Sequence, residues 1–115
     1  MSDIEIGNIP TPIVKANVEH KTILTPDGFA AVLVPDDNEP RHGQVILYVE
    51  DGKMKRYSSV VASACEGDRM RTTLEKTTLE VLNVVPKHDG LYILVKISNS
   101  DVEAIRYRVH VIVYY

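Results

Sequence analysis

The stretch from Thr77 to Asn99, TTLEVLNVVPKHDGLYILVKISN, leaves this chain little choice of fold. Leu79, Val81 and Val84 recur at strand spacing, Pro86-Lys87-His88 breaks the run, and Gly90, Leu91 and Tyr92 lead into a second β-branched segment. Branched and aromatic side chains lose rotamer freedom in a helix but fit a pleated surface, so the segment reads as strand, corner, strand. The last segment carries the same message. Ile105, Tyr107, Val109, Val111 and Val113 share one parity and Arg106, Arg108 and His110 the other, the period of two that marks a half-buried strand. With about seven or eight such strands, turn chemistry between them and no sustained helical periodicity, the fold class is all-β, and a two-layer antiparallel sandwich is predicted.

Taken from its start, the chain is weakly patterned through Lys21, and residues 1–12 are read as a loosely ordered arm. Pro10 and Pro12 withhold ladder donors, which predicts an edge strand that breaks and restarts, with Ile13 and Val14 opening it and Lys21 to Thr25 continuing it. Pro26-Asp27-Gly28 is a turn. The next strand, Phe29 to Val34, is open between two registers, Ala30, Val32 and Val34 inward or Ala31 and Leu33 inward. Gln44 to Glu50 is a strand, and Asp51-Gly52 signals a hairpin. Met54 to Ser63 supplies a further strand, Cys65 to Asp68 a turn, and Asn99-Ser100-Asp101 another. One domain spanning residues 1–115 is expected, since 115 residues suffice for one core.

The E-to-F portion of this pattern resembles an immunoglobulin domain of the I-set or V-set type, whose L-x-I-x-x-V…D-x-G-x-Y-x-C is matched by Leu79, Val81, Val84, Gly90 and Tyr92. His88 stands at the family's Asp and Leu94 at its second cysteine. Tyr48-Val49-Glu50-Asp51-Gly52-Lys53 resembles the W-Y-K-D-G-K of I-set strand C, with the tryptophan absent. The resemblance implies a Greek-key sandwich in which Tyr92 forms the tyrosine corner and Tyr48 fills the tryptophan's place. Leu94 would pack where the inter-sheet bridge lies, and Leu79, Val81 and Gly90 would be structural. It favours Ala31 and Leu33 inward, with Pro35 at the first cysteine position. By the same resemblance the chain is a non-catalytic protein-protein interaction or scaffolding module like those of intracellular cytoskeletal and muscle proteins; a cell-surface or viral domain recognising a receptor or adhesion partner is the alternative.

That register would leave Leu47, Val49, Ile93, Val95 and Ile97 pointing outward, an apolar face suited to another protein or to a second copy of the chain. The competing reading slips the strand by one residue and makes Ile93, Val95 and Ile97 core, which spares Lys96 an inward position. Val109 to Tyr115 poses a similar choice, an edge open to strand addition or an interior strand beside strand F; the interior reading is favoured.

Cys65 is the single cysteine, so no intramolecular disulfide forms, and no Asn-x-Ser/Thr acceptor occurs. Both suit a cytoplasmic setting, with an extracellular one after leader removal as the alternative. A net charge of −3 gives no reason to expect nucleic acid, and no apolar run is long enough to predict membrane insertion. His20, His42, His88 and His110 are scattered without metal-ligand spacing. Cys65 sits beside Glu66 and Asp68, which oppose a thiolate. No nucleophile elbow, phosphate loop or calcium loop is found, and neither enzymatic activity nor a cofactor is expected.

Overall fold

The computed structural model describes residues 3–6, 9–66, 77–99 and 104–115. Of the turns expected at Cys65 to Asp68 and at Asn99 to Asp101, Cys65, Glu66 and Asn99 instead continue strands, and Gly67, Asp68, Ser100 and Asp101 lie outside the described residues, as does the lead-in from Arg69. Among the described residues eight strands are formed: β1 (Asp3–Ile6), β2 (Ile9–Leu24), β3 (Gly28–Pro35), β4 (Gly43–Glu50), β5 (Ser59–Glu66), β6 (Thr77–Lys87), β7 (Gly90–Asn99) and β8 (Tyr107–Tyr114). Among the described residues there is no helix, and so none long and apolar enough to cross a membrane.

One mixed sheet holds them all, in the order β5-β8-β3-β2-β4-β7-β6, with β1 added to the start of β2. Its two ends, β5 and β6, approach each other, so the sheet curls into a nearly closed barrel. The long strand β2 makes this possible. Its first part runs parallel to β4 through Ile13, Val14 and Lys15, and its second part runs antiparallel to β3 from Ala16 to Leu24. The break expected at Pro10 and Pro12 is absent because both prolines precede the β4 ladder, where they pair with Glu5 and Asp3 and no second neighbour needs their missing donors.

The predicted crossing from strand E to strand F is a hairpin. Lys87 pairs with Gly90 around His88-Asp89, and β6 lies beside β7 in one sheet, whereas an immunoglobulin sandwich places strands E and F in different sheets. Asp89 takes a left-handed φ of 64°, which Asp tolerates because its side chain can bond locally. The Asp51-Gly52 turn, in contrast, closes no hairpin. Asp51 Oδ1 accepts from the Lys53 amide, the Asp51 amide donates to the Asp89 carbonyl, and the chain then departs to place β5 on β8. Met54, fully buried, plugs this end of the barrel, and the Tyr115 hydroxyl donates to Asp51 Oδ2 at 2.6 Å.

The core is lined by one parity from each long strand. Phe29, Ala31 and Leu33 face inward on β3, as the family spacing favoured, and Tyr107, Val109, Val111 and Val113 do so on β8. β8 is interior, as preferred, but its neighbours are β3 and β5 and not strand F. Each fully buried Val or Leu contributes roughly 1.5–3 kcal/mol, so the barrel holds without a covalent bridge.

Tyr107 is an exception to the good fit of polar groups. Only 2% exposed, its hydroxyl has no hydrogen-bond partner among the described residues, and neither has the nearby Arg41 Nε. Burial pushes the Tyr107 hydroxyl well above its ordinary value of 10.0, and Asp37 adds to the rise while Arg41 opposes it. A raised phenol holds its proton in the folded state after the unfolded chain has lost it, so its contribution is intact below about pH 10 and is lost as pH climbs beyond. Tyr107→Phe removes both effects. It is expected to hold or raise stability at pH 7, by up to about 1 kcal/mol, and to delay unfolding above pH 10, as measured by urea titration across pH. A loss of more than about 2 kcal/mol at pH 7 would show that the hydroxyl is satisfied after all.

Candidate interaction surface

The residues expected to form the exposed face are the core itself. Ile93 and Val95 are 0% exposed, Leu47 and Ile97 1%, and Val49 5%. The slipped register is the one adopted. Its cause is legible in β7, where Leu91, Ile93, Val95 and Ile97 share one parity while Lys96 shares the other with Tyr92 and Leu94, and an inward lysine would be a buried, unpaired charge.

The same register moves three residues assigned to the core onto the outside. Tyr48, Tyr92 and Leu94 are half-buried on the outer face of β4 and β7. Tyr92 makes no corner: its hydroxyl finds no hydrogen-bond partner among the described residues, and its ring lies on Tyr48 at 4.7 Å between centroids and 32° between planes. Lys87 Nζ stands 5.2 Å over the Tyr92 ring. Burial, and after it Glu50, raises the Tyr48 hydroxyl. Leu79 and Val81 do pack against the core from β6. Gly90 is needed for contact and not for its turn, since a Cβ there would lie 2.9 Å from Tyr48 Cε2, so the ring rests on bare backbone.

Strand pairing arranges the outer face in four rows. Ile13, Ile46, Leu94 and Asn83 make one, and Lys15, Tyr48, Tyr92 and Val85 the next. The flanking rows are Gln44, Lys96 and Glu80 on one side and Glu50, Gly90 and Lys87 on the other. The centre is therefore apolar on β4 and β7, with Lys15 and Asn83 at its outer ends, and its two borders are charged. A shallow groove of about 310 Å³ runs through it, lined by Ile13, Ile46, Val85, Tyr92 and Leu94 with Asn83 and Lys87 at its margin. Sequence reasoning chose the right strands, β4 and β7, and the wrong parity. Gln44 and Glu50 were the missed signal, because they share the parity of Ile46 and Tyr48 and would have entered the core with them.

The chemistry elsewhere is sparse. His42 and His88 are exposed at separate loops, His88 Nε2 lying 3.0 Å from Asp89 Oδ2, while His20 and His110 line one groove on the opposite outer face. Cys65 is half-buried and free, with Arg108 Nε donating to its Sγ at 3.2 Å. Among the described residues no group of His, Cys, Asp or Glu is placed to hold a metal. Comparison with protein-family models, curated proteins and solved structures finds no match for this chain.

Proposed function

We propose that the chain is a non-catalytic structural module that associates through the outer face of β2, β4, β7 and β6, and that its partner there is a second copy of itself. The observation that carries this reading is the order of the four rows. A two-fold axis lying in the interface and running across the strands exchanges the row of Lys96 with that of Gly90, and the row of Leu94 with that of Tyr92. Leu94 then faces the second copy's tyrosine row, Ile46 likewise, and Glu80 meets the lysine at position 87. On β4 and β7 the surface is thus complementary to itself, aliphatic against aromatic, and on β6 acid meets base, as a symmetric dimer requires. Contiguous apolar surface with a charged rim is what association faces look like. The reading stands on this surface and not on the immunoglobulin resemblance, whose E-to-F crossing is here a hairpin.

Static light scattering over a dilution series tests it, with monomer giving way to dimer as concentration rises. Glu80→Lys and Lys87→Glu each place two like-charge pairs in the rim. At roughly 0.2–1 kcal/mol per pair, each is expected to weaken the dimer about tenfold, and the double exchange to restore it. A chain monomeric throughout, or a double exchange no better than either single one, contradicts the proposal.

A further inference from the structure

The opposite outer face carries a groove of another kind, about 430 Å³ in volume. One wall is formed by Arg106, just before β8, and by Arg108 and His110 on its outward side; the floor is Val32 and Val34 of β3; the far wall is Glu19 and His20 of β2. His110, Val32 and Glu19 lie in one row across the three strands, so at the usual strand spacing the walls stand about 10 Å apart.

Two features separate this groove from an ordinary solvated sheet face. The arginines are held by one nitrogen each. Arg106 Nε donates to the Asn38 carbonyl at 3.1 Å and Arg108 Nε to Cys65 Sγ at 3.2 Å, while the terminal nitrogens of both guanidinium groups make no ion pair or hydrogen bond with any described residue. A guanidinium anchored in this way has already lost much of its rotamer freedom and still presents a planar pair of donors. The second feature is in β2, whose ladder with β3 shifts register between Glu19 and Thr22, with His20 at a left-handed φ of 50°. A side chain with a Cβ adopts that backbone at a cost, and such bulges re-aim side chains at functional sites. Here the bulge sets His20 on the groove and on the adjoining recess beside Thr22, Ala30 and Ile112.

We infer that this groove binds a tetrahedral oxyanion, a phosphate or a phosphate ester, held by the Arg106 and Arg108 forks with His110 and His20 as flanking donors. Planar guanidinium forks make charge-assisted hydrogen bonds to such an anion, and an apolar floor beside them strengthens those bonds. Glu19 repels an anion at the centre of the groove. It therefore confines the anion to the β8 wall, and can accept a hydrogen bond from a hydroxyl that an ester carries.

The test is a titration of the ¹⁵N-labelled protein with inorganic phosphate and, separately, with glycerol 3-phosphate, at constant ionic strength. Saturable amide shifts confined to Val32, Asn38, Arg106, Arg108 and His110 are expected. Arg106→Gln should weaken binding at least tenfold, and Arg56→Gln, in the exposed β4–β5 connection, should not. Because Arg108 also supports Cys65, Arg108→Lys is the second variant: it keeps the charge, loses the fork, and should weaken binding with the spectrum otherwise unchanged. Tighter binding of glycerol 3-phosphate that Glu19→Gln abolishes assigns the site to an ester; equal binding assigns it to the free ion. Non-saturating drift spread over the surface, or equal affinity in Arg106→Gln, Arg108→Lys and the parent chain, overturns the inference.

Discussion

Val95→Lys is expected to unfold the protein. Val95 is 0% exposed, lies between Val45 on β4 and Val81 on β6, and sits in the middle of the barrel's apolar lining. A lysine there has no carboxylate to meet among the described core residues, whose buried polar members are Thr11 and Ser58. Desolvating its ammonium costs several kcal/mol even after relaxation, comparable with the whole stability of a domain this size. Leu94→Lys, one residue away, points to the opposite side and should leave the melting temperature within a few degrees while abolishing the proposed self-association. Circular dichroism separates the two variants. If Val95→Lys melts like the parent, the lining of the barrel has been placed on the wrong side of β7.

Gly28→Ala is expected to cost about 2–4 kcal/mol, for a reason that has nothing to do with turn flexibility. A Cβ at this position would lie 2.3 Å from the Val113 carbonyl oxygen and 2.8 Å from Tyr114 Cδ1. The first contact is with backbone, and that backbone belongs to β8, which is laddered on both sides by β3 and β5. It cannot withdraw without opening a ladder. For a chain of 115 residues the expected loss corresponds to a fall in melting temperature of roughly 8–20 °C, read by calorimetry. Gly52→Ala is the control, because a Cβ there meets nothing within 4 Å, and it should change little. Equal melting of both variants would mean that β3 and β8 do not approach as closely as described.

How far the sequence foretold this arrangement varies from strand to strand. β8 was fully legible, because Arg106, Arg108 and His110 alternate with Tyr107, Val109 and Val111 and leave one choice of face. β3 needed outside help, since Ala30, Val32 and Val34 are as apolar as Ala31 and Leu33. β7 was harder still: Tyr92 and Leu94 compete with Ile93 and Val95 for the core, and Lys96 alone distinguishes the parities. Pairing was the least visible. Nothing local says that β2 stays extended past Pro10 and Pro12 to serve β4 and β3 in turn, or that His88-Asp89 closes a hairpin where a related pattern turns a corner between sheets. The groove at Arg106 and Arg108 was half legible. Its β8 wall follows from alternation, but the wall facing it depends on the bulge at His20, which has no glycine or proline to announce it.

Thiol labelling tests the inside and outside of β7 most directly. In a Cys65→Ser background, Leu94→Cys and Val95→Cys are each exposed to a maleimide at a concentration low enough to keep the chain monomeric. Leu94→Cys is expected to react in the native state nearly as fast as in urea, and Val95→Cys roughly a hundredfold slower or more, waiting on opening of the barrel. Fast labelling at position 95 with protection at 94 would contradict the register on which the core, the apolar face and its proposed partner all rest.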